Sequence, residues 1–577
     1  MATSLELYRL WSSHPYFDAE THQELATIAG DEHEIDDRFY RSLEFGTGGL
    51  RGVIASGTNR MNRYTVRHAT QGLADYLGTF GDEARKRGVV IAFDSRWYSA
   101  EYALEAALTL NASGVVAYLW DSLRPTPILS FAVRELHAMA GVVITASHNP
   151  SQYNGYKVYW EDGSQVPPER AGAIQAAIRA VADLTTVCPM GTEQARAAGL
   201  LKPVPPAVDR AYTDRLLALV RTEPEQRHSC RVLYTPLHGA GNRPVRQVLT
   251  EAGYHVSVVA DQEQPDPSFP TVRSPNPEDV AVFALALTQA ATELPDVIMA
   301  TDPDADRLGA MVRDKTGDYR LLTGNQIGAI LVDYLVTSHV EAGTLPANPA
   351  VVKTIATSNM VASLLRAHGV ALLETHTGFK FIGDKVREFE ETGSHTFLFG
   401  FEESYGYLGA SFVRDKDAVM ASLLLAEAAA HHKGEGRTLH DALESIWQRF
   451  GCFLEGLHNV TLPGREGQAE ISAKMEMLRS RPPRALGGLP VAFTDDYSSG
   501  TGVDHTTGST YPLALGQADV LHFRFADGGF VMVRPSGTEP KLKLYFSVCG
   551  QTRNDAEVRL EEIRAEALSV LGLTEEG

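Results

Sequence analysis

A short apolar strand, a polar turn and an amphipathic helix recur along this chain, and that alternation limits its fold more than any other feature. "GVVIAFDSRWYSAEYALEAALTLNASGVVAYLW" is one unit, with a strand from Val89, a helix from about Ala100 and a second strand from Val115. "RVLYTPLHGAGNRPVRQVLTEAGYHVSVV" and "PAVVKTIATSNMVASLLRAHGVALLET" repeat the plan. Strands alternating with helices build parallel α/β sheets, with functional loops at the strands' C-terminal ends. Three such regions lie around 40–205, 210–322 and 323–445. The tail departs from the plan. After "LPGREG" (Leu462 to Gly467) comes a helical stretch and then the alternating strands of "DVLHFRFADGGFVMVRPSGTEPKLKLYFSV". The "DGG" turn at Asp527 reads as a hairpin, and a last helix runs from about Asn554. A chain of 577 residues is too long for one core. The expected class is α/β: three α/β domains with mixed or parallel sheets, over 1–208, 209–322 and 323–450, and a smaller α+β domain over 451–577. Pro203, Pro205 and Pro206 mark one linker.

Charge narrows the partners. Lys and Arg number 52 against 72 Asp and Glu, a net −20, which argues against nucleic acid or an anionic membrane. An anionic small substrate would then need a cleft with its own concentrated Arg and Lys. Cys188, Cys230, Cys452 and Cys549 are scattered without ligand spacing, so reduced thiols are expected rather than disulfides or a zinc site. "MATSLELYRLWSSHPYF" has no basic segment followed by an apolar one, and no signal peptide is read. The longest apolar run, Ala418 to Ala430, contains Ser422 and Glu427 and is too short to span a bilayer. A cytoplasmic location is expected.

Four stretches carry groups suited to phosphate. In "FGTGGLRG", Phe45 to Gly52, four glycines around Thr47 and Arg51 let backbone N–H groups approach an anion, and Arg51 adds a fork of donors. A plain Gly-rich turn has the same composition. In "GVVITASHNPSQYNGYKVYW", the buried-strand residues Val142, Val143 and Ile144 run into Ser147, His148, Asn149 and Pro150, with Lys157 downstream. Ser147 lacks the G-x-S-x-G elbow of hydrolases, and a helix cap or Asx-Pro turn is the alternative. In "DVIMATDPDADRLG", strand Val297–Ala300 leads to Asp302, Asp304 and Asp306. Three carboxylates in one tight turn repel each other unless a cation neutralises them, and oxygen ligands select Mg²⁺ or Ca²⁺ over zinc. The loop is no EF-hand, since its sixth position is Arg307 and its twelfth Arg313. A solvated acidic turn is the alternative. In "VRPSGTEPKLKLY", Arg534, Ser536, Gly537 and Thr538 combine a guanidinium, two hydroxyls and an unhindered backbone, either a phosphate cradle or a polar hairpin end.

Together these stretches equip a chain for phosphoryl transfer, where positioning and charge neutralisation supply most of the catalysis. No Walker A loop or kinase signature is present, so the phosphate must come from the enzyme or the substrate, with Ser147 as carrier.

At this point the chain resembles the α-D-phosphohexomutase superfamily of phosphoglucomutases and phosphomannomutases. "TASHNP" resembles its phosphoserine loop, "DPDADR" its metal loop, "GFEESYG" (Gly400 to Gly406) its sugar-binding loop and "RPSGT" its phosphate-binding loop, all in the family's order. The resemblance implies four domains around a central cleft. It implies that Ser147 is phosphorylated and that Mg²⁺ is held by that phosphate with Asp302, Asp304 and Asp306. Arg51 and Arg307 would contact phosphate near the serine. Lys157 matches the family's general acid/base, expected to have a depressed pKa, and His148 is a competing base. Thr377 in "TGFK", Glu402 and Ser404 in "EES" and Lys416 in "RDKD" match substrate-binding positions, and Arg534, Ser536, Gly537 and Thr538 would grip the distal phosphate.

The metal loop has Pro303 and Ala305 where many members have glycines. The motifs look most like the branch holding bacterial phosphoglucomutases, phosphopentomutase and glucose-1,6-bisphosphate synthase. The implied activity is interconversion of α-D-glucose 1-phosphate and glucose 6-phosphate, with Mg²⁺ as cofactor and glucose 1,6-bisphosphate as intermediate and activator. A phosphomannomutase, a phosphopentomutase and a bisphosphate synthase are the near alternatives. An aspartate-nucleophile phosphatase using Asp302, or a non-enzymatic sugar-phosphate binder, stands further off. The implied partners are small sugar phosphates, on a monomer or weak homodimer.

Overall fold

The computed structural model describes residues 3–46, 48–462, 464–536 and 541–573. Two compact units emerge, one of Met1–Leu321, Gly383–Glu391 and Ser404–Gly436, the other of Leu322–Ile382, Thr392–Glu403 and Arg437–Gly577.

The first unit contains two mixed sheets. One has the order Gly49–Val53, Tyr153–Trp160, Ala140–Ile144, Val89–Phe93, Ala117–Leu119, Leu201–Pro203. Its last four strands are parallel, while Tyr153–Trp160 returns antiparallel to Ala140–Ile144. The other has the order Tyr319–Leu321, Leu308–Arg313, Val297–Thr301, Arg231–Thr235, His255–Val258. Here Leu308–Arg313 returns antiparallel to Val297–Thr301. A purely parallel reading fails at these two places for one reason. A parallel return needs a crossover of about a dozen residues or more, and the serine and aspartate loops are too short for that. Each therefore turns a buried central strand straight back on itself. Ala140–Ile144 and Val297–Thr301 are buried throughout, as their β-branched and small residues demand.

Three helices that the alternation does not announce open the chain: Ser4–Ser13, Ala19–Thr27 and Glu32–Phe39. Each starts at a capping side chain, Thr3, Asp18 or Asp31. They close over an aromatic cluster in which Trp11 stacks on Phe17 at 4.4 Å and meets Phe39 and Tyr64 edge-on. Helix Ala418–Gly434 is buried along most of its length, which explains its apolar run. Its interior Glu427 is tolerated because it accepts from the Arg221 and Thr222 N–H groups and from the hydroxyls of Thr222 and Tyr254. Among the described residues no helix is long and apolar enough to cross a membrane, and the four cysteines are free thiols.

In the second unit, Ala371–Thr375, Pro349–Thr354 and Thr396–Glu402 pair in parallel. The α+β tail forms an antiparallel sheet ordered Cys452–Thr461, Lys541–Gly550, Phe530–Pro535, Leu521–Phe525, Leu489–Asp496, Thr501–Asp504, Thr510–Pro512. Its hairpin turns at Asp527–Gly529, with Phe525 N–H donating to Gly529 at 2.8 Å. The last helix, Arg553–Val570, begins at the Thr552 cap. Leu542, Leu544, Phe546 and Val548 alternate into the core beneath it.

Glu455, on strand Cys452–Thr461, is half-buried in this unit, with the Thr323 hydroxyl 3.5 Å away. Burial raises its pKa from the ordinary 4.5 to about 7, against the hydroxyls of Ser358 and Thr323. Below pH 4.5 both folded and unfolded chains carry the proton. Between 4.5 and 7 the unfolded chain loses it first, so stability falls as pH rises, and above 7 the full cost remains. Glu455→Gln should therefore stabilise the protein at pH 8 by up to about 3 kcal/mol and do little at pH 4. Melting temperatures at the two pH values test this, and an equal shift at both would refute it.

Candidate active site

Ser147 sits just past the end of Ala140–Ile144, 3% exposed, with φ +52°. A non-glycine residue in this left-handed region stores ~1–3 kcal/mol and persists only where its surroundings impose it. Its N–H donates to Thr145 Oγ1 at 2.8 Å, and its Oγ donates to Asp302 Oδ2 at 2.6 Å. His148 does face the same way, with Nδ1 3.3 Å from that Oγ. Burial, then the Arg307 and Arg51 cations, hold the imidazole well below its ordinary pKa, so it is neutral.

Asp302, Asp304 and Asp306 are all buried, with one carboxylate oxygen of each within 4.8 Å of the others. Asp302 Oδ1 accepts the N–H groups of Asp306 and Arg307 at 3.1 and 3.0 Å. The turn needs a left-handed residue at Ala305, φ +48°, a place where glycine would be unstrained. The segment "PLHGAG" holds the turn from behind. Ala240 N–H donates to Pro303 at 2.8 Å, and a Cβ on Gly239 would stand 2.5 Å from Pro303 Cα. The start of helix Thr126–Glu135 holds Asp304 through the Thr126 N–H and hydroxyl. Burial and the neighbouring Asp304 and Asp306 push Asp302 well above the carboxylate range. Burial also acts upward on Asp306, but Lys416, Lys157 and Arg307 outweigh it and hold that group low. Asp304 Oδ1 and Asp306 Oδ1 are buried without a hydrogen-bond partner among the described residues. Two unpaired carboxylate oxygens in a buried three-aspartate turn fit a hard divalent cation.

Lysine and arginine side chains surround the carboxylates and the serine. Lys157 Nζ lies 2.9 Å from Asp304 and 3.4 Å from Asp306, and Lys416 Nζ lies 3.2 Å from Asp306. Arg307 pairs with Glu278 at 2.5 Å, and Arg51 donates to Asn149 Oδ1 at 3.2 Å. Lys157 differs from expectation. Burial lowers its pKa, but Asp304 and Asp306 raise it further, and the net direction is upward. It stands as an ammonium.

The family-model matches decide what this constellation belongs to. The chain matches phosphoglucomutase/phosphomannomutase α/β/α domain I over 42–184, domain II over 210–317, domain III over 323–450 and the C-terminal domain over 457–565. It is 37% identical over 511 residues to a phosphoglucomutase of Staphylococcus haemolyticus, covering 88% of this chain and 91% of that one. A phosphoglucomutase of Staphylococcus epidermidis is 38% identical over 525 residues, covering 89% and 93%. The chain belongs to the phosphoglucomutase/phosphomannomutase family. The fold of the Paramecium phosphoglucomutase parafusin, in its open form, matches with a TM-score of 0.69 at 18% identity, over 92% of this chain and 96% of that one.

Each family loop can now be located. Ser404 lies in the first unit, in a turn tied to strand Leu308–Arg313 by the Leu308 N–H, which donates to Tyr405 at 3.1 Å. Thr377, Glu402, Arg534 and Ser536 belong to the second unit. There Arg534 donates to the Thr377 hydroxyl, joining the expected phosphate cradle to an expected substrate residue. Glu402 is buried at the end of Thr396–Glu402, and Ser536 N–H closes the hairpin onto Lys541 at 2.8 Å. Thr47, Gly537 and Thr538 lie outside the described residues. In "FGTGGLRG", Gly49 is demanded by strand pairing, since a Cβ there would meet the Tyr156 carbonyl at 2.3 Å. Composition missed Arg96, Asp94, Glu278 and Ser274. The last of these donates to the His148 carbonyl at 2.6 Å. The one available signal was the strand Val89–Phe93 running straight into "DSR".

If the carboxylates hold a cation, Mg²⁺ at about 100 times its Kd should stabilise the protein by about 2.7 kcal/mol. Asp302→Asn should abolish that Mg²⁺-induced rise in Tm. The metal-free variant should melt no lower than wild type, because the neutral amide replaces a carboxyl that burial and its acidic neighbours already hold protonated. An undiminished Mg²⁺ shift would remove Asp302 from the metal site.

Proposed function

We propose that this protein is a phosphoglucomutase that interconverts α-D-glucose 1-phosphate and glucose 6-phosphate through a phosphoserine at Ser147. The observation that carries the reading is a strained, buried serine whose Oγ is aimed at a three-carboxylate loop ringed by cations. The staphylococcal relatives named phosphoglucomutase support glucose as the sugar.

The residues suit the chemistry. Phospho-Ser147 gives its phosphoryl group to O6 of glucose 1-phosphate, so the Oγ–P bond breaks as the O6–P bond forms. The resulting glucose 1,6-bisphosphate turns round and returns its other phosphate to Ser147. His148, neutral and beside Oγ, is fitted to accept a proton. Lys157, an ammonium, is fitted to donate one and to neutralise charge. Arg51 and Arg307 would hold the phosphoryl oxygens, Arg307 by leaving Glu278. Asp302, Asp304, Asp306 and an oxygen of the phosphoserine would hold Mg²⁺, which supplies charge neutralisation when bound. Arg534 and Ser536, with Gly537 and Thr538, would grip the distal phosphate, while Thr377, Glu402, Ser404 and Lys416 would meet the sugar. Glucose 1,6-bisphosphate would serve as activator by rephosphorylating Ser147. The reading places the protein in the cytoplasm as a monomer or weak homodimer. It disfavours Asp302 as a phosphatase nucleophile, because both its oxygens already accept hydrogen bonds.

Incubation with glucose 1,6-bisphosphate should yield an acid-stable, hydroxylamine-resistant phosphoenzyme. Ser147→Ala should lack it and lose turnover by more than about 10⁴-fold. A hydroxylamine-labile phosphoenzyme in the variant would overturn the assignment. Comparing kcat/KM for glucose 1-phosphate, mannose 1-phosphate and ribose 1-phosphate tests the sugar, and a preference for the pentose would overturn glucose.

A further inference from the structure

The geometry points to the Asp94–Arg96 ion pair as the positioning unit that holds Ser147 in its left-handed conformation and sets the direction of its Oγ. Both side chains are fully buried, 3.3 Å apart. Arg96 Nη2 donates to the carbonyls of Ser147 and Asn149, each at 2.5 Å, and Nη1 to those of Pro150 and Tyr153 at 2.9 and 3.0 Å. One guanidinium thus gathers four carbonyls of the serine loop. Its face lies on the Phe269 ring, 5.1 Å from the centroid. Asp94 works on the other side of the same residue. Its Oδ2 accepts from the Thr145 hydroxyl at 2.6 Å, and that hydroxyl accepts the Ser147 N–H at 2.8 Å. Its Oδ1 accepts the Arg96 N–H and the Ser99 hydroxyl.

The N–H and the C=O of Ser147 are therefore both tied to one ion pair, the first through Thr145 and the second directly. Clamping both flanking peptides leaves φ no freedom to relax, and Oγ stays 2.6 Å from Asp302. Arginine is required in this place. A lysine ammonium has three donors on a single point and cannot span four carbonyls in a plane. The serine carries no phosphate unless it presents Oγ to the carboxylate loop, so the brace acts on phosphoryl transfer through Ser147 and touches no substrate. The inference rests on Ser147 as the phosphoryl carrier, but its structural half stands apart from any activity.

The test uses Arg96→Lys and Thr145→Val in the full chain. Crystal structures of both should show Ser147 outside the left-handed region and Oγ withdrawn from Asp302. For glucose 1-phosphate, kcat should fall by about 100-fold with KM unchanged, as displacement of a reacting group by about 1 Å predicts. The rate at which glucose 1,6-bisphosphate phosphorylates Ser147 should fall in parallel. A variant that is only less stable would keep wild-type kcat per folded molecule, and that result, or an unmoved Ser147, would overturn the proposal. If Arg96→Lys does not fold, Thr145→Val carries the same measurements, because it removes one hydroxyl and no charge. Absence of mutase turnover in the wild type would instead sink the functional reading, and the position of Ser147 in the variants would still decide the brace.

Discussion

Like charges forced together without water are the constraint on which the first unit is built. Three carboxylates share one dry turn, and their repulsion must be answered locally. Lys157 and Lys416 answer it from one side, backbone N–H groups of Asp306 and Arg307 from beneath, and the Ser147 hydroxyl from across the gap. Each answering group comes from a different segment. The turn therefore dictates where the serine loop, the strand carrying Lys157 and the segment carrying Lys416 must lie.

The same economy explains the sheets. A strand that ends at a reactive loop and returns at once leaves no length in which the loop can wander, so the loop inherits the rigidity of two buried strands. The serine and the aspartates sit at such ends, one on each mixed sheet of the unit. Helix Thr126–Glu135 ties the serine's sheet to the aspartate turn, since it lies between strands Ala117–Leu119 and Ala140–Ile144 in sequence yet begins on Asp304.

Much of this was legible beforehand, because it depends on residue type and order. Alternating strands and helices marked the α/β regions, the "DGG" turn marked the hairpin of the tail, and "DPDADR" announced three aspartates gathered in one turn. What was hidden depends on three-dimensional closure. The antiparallel returns were implied by loop length, yet the strand–helix rhythm drowned them out. The three opening helices had their caps at Thr3, Asp18 and Asp31, but their aromatic partners are spread from Trp11 to Tyr64. Arg96 looked like any arginine after a strand. Its importance lies in carbonyls, which carry no residue-type signal at all. Lys157 stands beside Asp304 and Asp306, and its pKa is raised where a depressed one was expected, because the balance between burial and two carboxylates is a matter of ångströms.

The backbone at residue 147 also has a bearing on which hydroxyl amino acid can stand there. Serine and threonine hydroxyls are chemically close, and a phosphate could ride on either. A β-branched side chain at φ near +52° would be an outlier, its extra methyl pressed against its own peptide. Threonine is thus shut out by conformation while remaining competent in reactivity. Which hydroxyl residue can stand at this position is settled by the shape of the main chain before any chemistry begins.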